Sequence, residues 1–357
     1  MLRALEAEGV DVVALGPLAP PIQWPLKALN HLTRRLGTPV VSSAHSLVLA
    51  RSYARRVEER LRGERLDAIF APAASALTSF LRTEVPIVYT SDATFTLMAD
   101  YYPEFSRLAR WSRRAGEVIE QRAIDAAASC VFPSRWAADS AIRDYGAATD
   151  RVHVAEYGAN IESPPSADQV DAHRSPSTCR LLFVGVSWSR KGGAIALDAL
   201  RSLRRRGIDA DLTICGCEPP SGEALDGVTV IPFLDKNDPR EHARLEQLYL
   251  DSDYFVLPTR REAYGIASCE ANAFGLPAIT TETGGVPSVV RDGDNGFLLP
   301  LEAGGEAYAD VIERLHRDPE AYVVRARAAR AAFDERLNWT TWGHAIVDRI
   351  RDAIEAR

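Results

Sequence analysis

The stretch TRREAYGIASCEANAFGLPAITTETGG, residues 259–285, contains the pattern that decides the fold. It places Glu262 just before a run of small and apolar residues and Glu270 in the middle of that run. Because the run is apolar on almost every face of a helix, we predict a buried helix that begins at about Tyr264 and ends at Gly275. A carboxylate inside such a helix is costly unless hydrogen-bond donors meet it, and the side chains one turn away are apolar. The donors for Glu270 therefore come from elsewhere in the chain or from a ligand.

Two interpretations of Glu270 remain open at this point. It can form an internal ion pair with Arg260, with Arg261 or with an arginine distant in the sequence. Alternatively, the hydrogen-bond donors of a bound ligand can satisfy it, since a buried charge must be paired or hydrogen-bonded. The stretch by itself favours neither interpretation over the other.

The composition is that of a globular chain with about two domains. The chain has 357 residues, of which 46% are hydrophobic and 25% charged. No run approaches the roughly 18 apolar residues that a membrane-spanning helix requires. The first residues, MLRALEAEGVD, lack the basic region and apolar core of a signal peptide. We therefore predict a cytoplasmic protein.

Cysteines and histidines give no support to a metal site. The five cysteines are odd in number and mostly lie in apolar runs, so buried free thiols are favoured over disulfides. The closest pair, Cys215 and Cys217, has no partners at metal-binding spacing, and the seven histidines show no HExxH motif. Three D-x-D triplets lie in turns or at strand entries. We predict no metal and no cofactor.

The net charge of −7 is unevenly distributed. Residues 1–150 hold 18 Lys and Arg against 17 Asp and Glu, which leaves 24 (42 − 18) against 32 (49 − 17) for the remainder. Neither part has the basic character of a nucleic-acid-binding domain, so no nucleic-acid partner is predicted. The dense basic segment 107–122 is a solvated helix face in one interpretation. In the other it contacts an anionic acceptor or the inner face of a membrane as a peripheral protein.

Short β-rich runs alternate with amphipathic stretches along the chain, which is typical of parallel α/β sheets. We predict two Rossmann-like domains that face a cleft: an N-terminal domain over 1–162 and a C-terminal domain over 179–336. The segment 163–178, rich in Pro, Ser and Asp, is interpreted as a linker. A final helix over 337–357 is expected to pack back toward the N-terminal domain. The predicted strands are VDVVAL, LDAIFAP, VPIVYTS, ASCVFPS, CRLLFVGV, ADLTICG, VTVIPF, YFVLPT and LPAITTE.

Ligands of such sheets bind beyond the carboxyl ends of the strands, where three loops of the second half lie. The first loop holds Arg190 and Lys191 and leads to Gly192 and Gly193, which open a helix. Free N–H groups at a helix N-terminus and two cations suit a phosphate, although structural cations at a domain surface explain the pattern nearly as well. Only three residues of the chain are lysines, at positions 27, 191 and 236, and one of them lies in this loop.

The second loop, 259–265, places Glu262 at the start of the buried helix, and the third, Thr283-Gly284-Gly285, is a turn after a strand. All three loops are expected at the same edge of the sheet.

These residues resemble a known family. The phrases FVGVSWSRKGG, Glu262-Ala-Tyr-Gly265, Glu270-Ala-Asn, Phe274-Gly-Leu-Pro277 and Thr283-Gly-Gly-Val-Pro287 resemble the donor-binding half of family-4 retaining glycosyltransferases of the GT-B fold, with their Glu-x7-Glu motif. The resemblance is dense over about 181–300. Over 1–160 it is looser and depends on VPIVYTSDATF and HVAEYGANI.

The resemblance implies a retaining hexosyltransferase that uses a nucleotide sugar. Glu270 would accept hydrogen bonds from two ribose hydroxyls, and Glu262 would face the donor sugar. Lys191 with Arg190 would neutralise the diphosphate, and Asp92 would act on the acceptor side. No metal is required in that scheme. The donor would also contact the positions Gly185, Gly192, Ala263, Tyr264, Gly265 and Ile266.

The sequence departs from the family pattern at three positions and at its amino terminus. Val186 stands where the family usually has Arg, Asp92 where many members have His, and Ser288 where the family has Glu. Arg190 can take over the charge lost at Val186. Asp92 can alternatively cap a helix that begins at Ala93. The first strand and the Gly-rich loop of the N-terminal domain are expected to be missing, either because the true start lies upstream of Met1 or because the chain is naturally shortened.

Two other functions compete with hexosyl transfer. One is a binding-only homologue that holds a sugar nucleotide or partners an active subunit. The other is an epimerase or a phosphorylase on the same fold. The sequence names neither the base, the sugar nor the acceptor, so the donor is a UDP-, GDP- or ADP-sugar and the acceptor a glycan, a lipid-linked sugar or a small molecule.

Overall fold

The computed structural model describes residues 1–20, 22–35, 41, 42, 44–172 and 179–357. These residues form two compact units, one of Met1–Ala155 with Trp342–Arg357 and one of Glu156–Thr341. Each unit is built around a parallel sheet, which confirms the predicted α/β class with two sheets.

Strands and helices alternate through most of the chain, as the sequence pattern predicts. The strands are β1 (Ile69–Pro72), β2 (Ile87–Thr90), β3 (Ser129–Phe132), β4 (Val152–Val154), β5 (Cys179–Val184), β6 (Ala210–Cys215), β7 (Val228–Ile231), β8 (Tyr254–Leu257), β9 (Ala278–Thr281) and β10 (Gly296–Leu299). The helices are α1 (Leu2–Ala7), α2 (Gln23–Arg35), α3 (Leu47–Leu61), α4 (Ser75–Thr78), α5 (Phe95–Tyr101), α6 (Pro103–Ser106), α7 (Arg110–Ala126), α8 (Arg135–Tyr145), α9 (Ala167–Ala172), α10 (Trp188–Lys191), α11 (Gly193–Arg205), α12 (Pro239–Leu250), α13 (Ile266–Ala273), α14 (Val286–Val289), α15 (Gly305–His316), α16 (Pro319–Glu335) and α17 (Trp339–Glu355), with a 3-10 turn over Thr149–Arg151.

The first unit contains a sheet in the order β1-β2-β3-β4 with every neighbour parallel. Its core includes Tyr89 of β2, Phe132 of β3 and Ile124 of α7. The rings of Tyr89 and Phe132 meet edge to face, with 6.4 Å between their centroids. All four residues of β2 and all four of β3 are buried, as is usual for central strands of a parallel sheet covered by helices.

The predicted strand VDVVAL, residues 10–15, is wrong. This segment belongs to no strand, and it pairs with no neighbour in the sheets formed by the described residues. Val13 is 52% exposed, and the carbonyl of Leu15 accepts a bond from Arg60 at 3.5 Å. An alternating apolar pattern makes a strand only where a partner strand supplies backbone hydrogen bonds, and among the described residues none runs beside this segment.

The second unit contains a sheet in the order β10-β9-β8-β5-β6-β7, again with parallel neighbours. From β5 the chain adds β6 and β7 on one side and then returns to add β8, β9 and β10 on the other. The strand order therefore reverses between β5 and β8. In an open parallel sheet the loops diverge at such a reversal and leave a crevice at the carboxyl ends, which is where ligands bind.

Helix α13 is the buried helix predicted from the opening stretch, and its existence is confirmed. It begins after Gly265, whose φ of +108° suits glycine, and it ends before Gly275, whose φ is +61°. Six of its eight residues are buried. An apolar surface on all sides lets the helix lie inside the unit, so that Glu270 is only 1% exposed.

The segment interpreted as a linker contains α9, and its residues 173–178 lie outside those that the structure describes. The final helix, α17, has its buried residues Trp342 and Ile346 on one face. Within the first unit the Trp342 ring meets the ring of Phe70 at 5.8 Å, and Nε2 of His344 lies 2.9 Å from a carboxylate oxygen of Glu8.

Candidate active site

The three loops singled out in the sequence meet at the carboxyl ends of β5, β8 and β9. The backbone N–H of Arg260 in the second loop donates to the carbonyl of Arg190 in the first at 2.8 Å. The N–H of Gly285 in the third loop donates to the carbonyl of Glu262 at 3.2 Å. The prediction that the loops lie at one edge is confirmed, and the place is the strand reversal between β5 and β8.

The glycines of the first loop are required by close packing. A Cβ on Gly192, whose φ is +79°, would overlap the carbonyl oxygen of Pro258, and one on Gly193 would overlap the Trp188 ring. A Cβ on Gly185 would lie 2.8 Å from Cγ of Lys191, because the lysine stem lies directly over that glycine. These contacts bring the start of α11 and the Lys191 side chain against the end of β5. Substitutions at these glycines would displace the lysine.

Lys191 and Glu262 form an ion pair across the first two loops. Both side chains are largely buried, with exposed fractions of 11% and 13%. The neighbouring cation, Arg190, donates from Nη1 to the carbonyl of Arg261 at 3.2 Å. Val186, at the position where the family usually has Arg, is 62% exposed. Two cations and one carboxylate therefore lie together at the reversal point.

The N-terminus of α13 presents backbone donors at the same edge. Its N-cap is Gly265, which has no side chain to cap the helix, and the N–H of Ser268 donates to the Gly265 carbonyl at 2.9 Å. The first two N–H groups of the helix, those of Ile266 and Ala267, are therefore the ones that suit an anion. Ala263 and Tyr264 precede the cap and are buried. The Tyr264 hydroxyl donates to the carbonyl of Tyr157 at 3.0 Å, and burial raises the pKa of that hydroxyl well above its usual range. The tyrosine side chain is thus a packing element.

Glu270 has partners within the chain. The Lys236 ammonium donates to Oε1 and the Tyr249 hydroxyl donates to Oε2 at 3.0 Å. Burial, followed by the nearby charge of Glu270, raises the pKa of Tyr249 well above its usual range, so its hydroxyl keeps the proton that it donates. The suggested partners Arg260, Arg261 or a distant arginine are not the ones found. Sequence reasoning missed Lys236 and Tyr249, although the scarcity of lysine that drew attention to Lys191 applies equally to Lys236.

Asp92 belongs to the first unit, in the loop that follows β2, and its side chain is exposed. The interpretation of Asp92 as a helix cap is wrong, because α5 begins at Phe95 with Thr94 in the N-cap position. Asp92 is followed by an aromatic group in which the Phe95 ring contacts His45 at 4.6 Å and Phe105 at 6.3 Å. Burial lowers the pKa of His45 to about 4, so this imidazole is neutral at pH 7.

The first unit also contains a buried carboxylate, that of Glu120. Glu120 of α7 is 2% exposed and accepts a bond from the Tyr89 hydroxyl at 2.9 Å. Burial raises the pKa of Glu120 to about 7, while its bonds from Tyr89 and Ser75 act in the opposite direction. This residue carries no sequence signal, because it lies in a helix rich in charge whose buried face only the fold defines.

Within the described ranges no cluster of three or more His, Cys, Asp or Glu side chains could hold a metal ion. The five cysteines are free thiols, four of them buried, as predicted. No helix formed by those residues is long and apolar enough to cross a membrane.

Comparison with known families decides what this arrangement belongs to. The family model described as "Glycosyl transferases group 1" matches residues 178–318, and the one described as "Glycosyl transferase 4-like domain" matches residues 1–158. The chain belongs to the group 1 glycosyltransferases. The motifs that resemble the donor-binding half all fall within 178–318.

Among curated relatives in the group 1 glycosyltransferases, a D-inositol 3-phosphate glycosyltransferase of Pseudarthrobacter chlorophenolicus is 29% identical over 260 residues. That alignment covers 66% of this chain and 60% of the relative. The chain thus spans about three fifths of the length of these curated relatives.

Solved structures show the same GT-B fold. A sucrose-phosphate synthase from Thermosynechococcus elongatus superposes with a TM-score of 0.66 at 17% identity, over 86% of this chain and 79% of that one. HepE of Anabaena in complex with UDP-glucose superposes with a TM-score of 0.62 at 18% identity, over 84% and 82%. This group 1 glycosyltransferase therefore has the GT-B architecture, with a parallel sheet in each unit.

Proposed function

We propose that this chain transfers a hexose from a nucleotide sugar to an acceptor hydroxyl with retention of the anomeric configuration. The observation that carries the proposal is the Lys191–Glu262 pair at the strand reversal of the second unit, together with Glu270 buried in α13, the helix that follows the Glu262 loop. Family membership supports glycosyl transfer, and the relatives named as D-inositol 3-phosphate glycosyltransferases support a hydroxyl acceptor. The complex of HepE with UDP-glucose supports a nucleotide-sugar donor.

Glu270 would hold the nucleoside. A ribose ring offers two neighbouring hydroxyl donors, and one carboxylate oxygen can accept more than one hydrogen bond. Such charge-assisted hydrogen bonds are worth about 1.5–3 kcal/mol each. Because Glu270 is fixed inside α13, its carboxylate is preorganised and little entropy is lost when ribose binds.

The diphosphate would lie over the first loop. Lys191 and Arg190 supply positive charge, and the N-termini of α11 and α13 supply backbone N–H donors. Charge accumulates on the distal phosphate as the bond to the sugar breaks, so a cation placed there stabilises the transition state more than the ground state. This arrangement would let the donor react without a metal ion.

Glu262 would face the sugar. Its carboxylate pairs with Lys191. Donor binding would draw the ammonium toward the phosphate and leave Glu262 to accept bonds from sugar hydroxyls. Retention follows if the acceptor hydroxyl attacks from the face that the diphosphate leaves, with the departing phosphate taking the proton. Bond making and bond breaking then occur on one side of the anomeric carbon.

Asp92 would contribute on the acceptor side, beside the aromatic group of Phe95 and Phe105. Segment 107–122 would hold the chain at an anionic membrane surface from the cytoplasmic side. In this segment Trp111 is 61% exposed, and Arg110 and Arg114 are basic residues on either side of it in the same helix, which is the combination that favours a membrane interface.

A screen of nucleotide ligands tests the proposal. UDP, GDP, ADP and their sugars are each added to the protein, and the melting temperature is measured, since a ligand that binds only the folded state raises it. We expect one base to stand out. The absence of any shift would contradict the proposal.

Two activity measurements separate the alternatives. Slow donor hydrolysis without acceptor would exclude the binding-only homologue. Turnover only with free phosphate would identify a phosphorylase, and interconversion of the donor sugar without release of the nucleotide would identify an epimerase.

A further inference from the structure

Both oxygens of Glu270 accept hydrogen bonds from side chains of the same chain. Lys236 donates to Oε1, and Tyr249 donates to Oε2 at 3.0 Å. The carboxylate is 2% exposed, so a bare charge at this position would be strongly unfavourable. A ribose that donates two hydrogen bonds to Glu270 must therefore share or replace a donor that is already present.

The two donors differ in their freedom to leave. Tyr249 is fully buried on α12, and its ring stacks on the Phe274 ring at 5.4 Å with an interplanar angle of 13°. Lys236 is 34% exposed on the loop between β7 and α12. A lysine side chain has a flexible four-carbon stem and a strongly hydrated ammonium, so it can withdraw into water without opening a cavity. Of the two, Lys236 is the donor that ribose can displace.

The backbone that carries Lys236 is held in place. Oδ1 of Asp235 accepts from the backbone N–H of Asn237 at 2.9 Å and from its side-chain amide at 2.8 Å. Oδ1 of Asp238 caps α12 by accepting from the N–H of Arg240 at 2.8 Å. The loop is therefore pinned on both sides of Lys236, and displacement of its ammonium requires only a rotamer change.

We propose that Lys236 is a positioning and specificity residue that stands in for the ribose hydroxyls when the site is empty. Its ammonium compensates Glu270 and holds the carboxylate in place; ribose hydroxyls then replace it at Oε1, and the ammonium moves into water. Only a ligand that returns donors to Oε1 displaces Lys236. The exchange lowers nucleotide affinity and so assists release of the nucleoside diphosphate product. This inference rests on the proposed role of Glu270 in nucleotide binding.

The size of the effect follows from competition. If Lys236 occupies Oε1 for about nine tenths of the time or more, its removal strengthens ribonucleotide binding by about tenfold or more. A ligand without ribose hydroxyls gains nothing, because it does not displace the ammonium. Lys236 therefore reduces the discrimination between ribose and dideoxyribose, and its loss should increase that discrimination.

The test is calorimetric titration of the parent and Lys236→Met with UDP, GDP and ADP, each beside its 2′,3′-dideoxy form. We expect the base that binds the parent to bind Lys236→Met at least about tenfold more tightly, with little change for the dideoxy form. Tyr249→Phe is the matched control. It also removes a donor to Glu270, but from Oε2, where ribose is not proposed to replace a donor. The ratio of the affinity for the ribonucleotide to that for its dideoxy form should therefore stay at the parent value. Lys236→Gln, which keeps a neutral donor, should give a smaller gain and serves if Lys236→Met does not fold.

The outcomes are distinct. One outcome is that the parent binds a nucleotide but the ratio of ribonucleotide to dideoxynucleotide affinity in Lys236→Met is unchanged or lower. This result would overturn the proposed replacement of Lys236 by ribose and leave the proposed function intact. Failure of the parent to bind any of the three ribonucleotides would overturn the proposed function and this inference with it. Melting temperatures give a second readout. If Lys236 is purely structural, Lys236→Met should melt below the parent by the same amount with and without nucleotide. If ribose replaces the lysine, the variant and the parent should melt at the same temperature when both are saturated with ribonucleotide.

Discussion

Lys191 and Glu262 are 71 positions apart in the sequence, and their charged groups meet at the point where the strand order of the second sheet reverses. A cation and a carboxylate that neutralise each other can each bind a different part of one ligand. Under the proposed function, Lys191 would bind the phosphate and Glu262 the sugar, on either side of the bond that breaks.

Lys191→Ala should lower the rate of donor turnover far more than the affinity for a nucleoside monophosphate. The reason is that the ammonium is proposed to meet charge that develops on the distal phosphate, so its contribution is largest in the transition state. We expect a fall in kcat of roughly 10²-fold or more, measured as nucleoside diphosphate release. Arg190→Ala should cause a smaller loss if its guanidinium replaces the arginine absent at Val186. Parent rates in both variants would show that the phosphate lies elsewhere.

Glu270→Gln should weaken nucleoside diphosphate binding by about tenfold or more while the fold stays intact. The amide keeps the shape of the side chain but loses the charge that strengthens its bonds to ribose. Titration calorimetry and thermal melting check the two parts separately. Unchanged affinity with a large drop in melting temperature would assign Glu270 to a structural ion pair with Lys236.

Asp92→Asn should impair transfer to the acceptor and leave nucleotide binding as in the parent. Asp92 is exposed in the loop after β2, and the N-cap position of α5 belongs to Thr94. Because Asn keeps the shape of the Asp side chain, this variant isolates the loss of its charge. The measurement compares transfer with acceptor-free donor hydrolysis. Equal transfer rates in parent and variant would remove Asp92 from the proposed mechanism.

Glu120→Gln should remove a dependence of stability on pH. In the folded protein burial raises the pKa of Glu120 from 4.5 to about 7, so the folded state holds a proton that the unfolded state releases. The contribution of Glu120 to the free energy of unfolding is fully present below about pH 4.5 and is lost as the pH rises through about 7. The total change in this free energy is about 3 kcal/mol. Urea unfolding at about pH 5 and pH 8 measures it. Glu117→Gln, an ion-paired neighbour on the same helix, should keep the parent pH dependence.

Trp111→Ser should reduce binding to vesicles that contain phosphatidylglycerol and have no effect with neutral phosphatidylcholine vesicles. An exposed tryptophan beside arginines adds apolar burial to electrostatic attraction at an anionic interface. Flotation of the protein with the vesicles is the measurement. Arg113→Ser is a useful control because Arg113 already pairs with Glu117 at 3.1 Å. No flotation of the parent with anionic vesicles would leave segment 107–122 as a solvated helix face.

Much of the second unit could be predicted from the sequence because its signals are local. The apolar run of α13, with a glycine at each end, fixes a buried helix, and the order of strands and loops then places Lys191, Glu262 and Glu270 at one edge. The partners of Glu270 could not be predicted in the same way. Lys236 lies 34 positions before Glu270 in the sequence. The turn that carries it is fixed by the hydrogen bond from the Asn237 N–H to Asp235, and the sequence alone does not show where such a turn directs its side chains.

The first unit was harder to predict for a related physical reason. VDVVAL has the composition of a strand, but strand formation depends on a partner that supplies hydrogen bonds, and the sequence of one segment does not reveal its neighbour. Strand β4 was missed because it has only three residues, too few for an alternating pattern to be recognised. In the second unit β10 was also missed, although it is as long as the predicted strands β8 and β9. Glu120 and His45 owe their altered pKa values to burial, which arises only once the helices have packed.

The contact between Gly158 and Trp339 has a consequence for the connectivity of the molecule. A Cβ on Gly158 would overlap the backbone N–H of Trp339, and the N–H of Ala159 donates to the carbonyl of Leu337 at 2.9 Å. The segment by which the chain enters the second unit thus lies directly against the segment by which it leaves. The second unit is therefore an insertion into the first, because the chain of the first unit continues at Trp342. A backbone hydrogen bond joins the beginning and the end of the inserted segment, so its two ends are held next to each other.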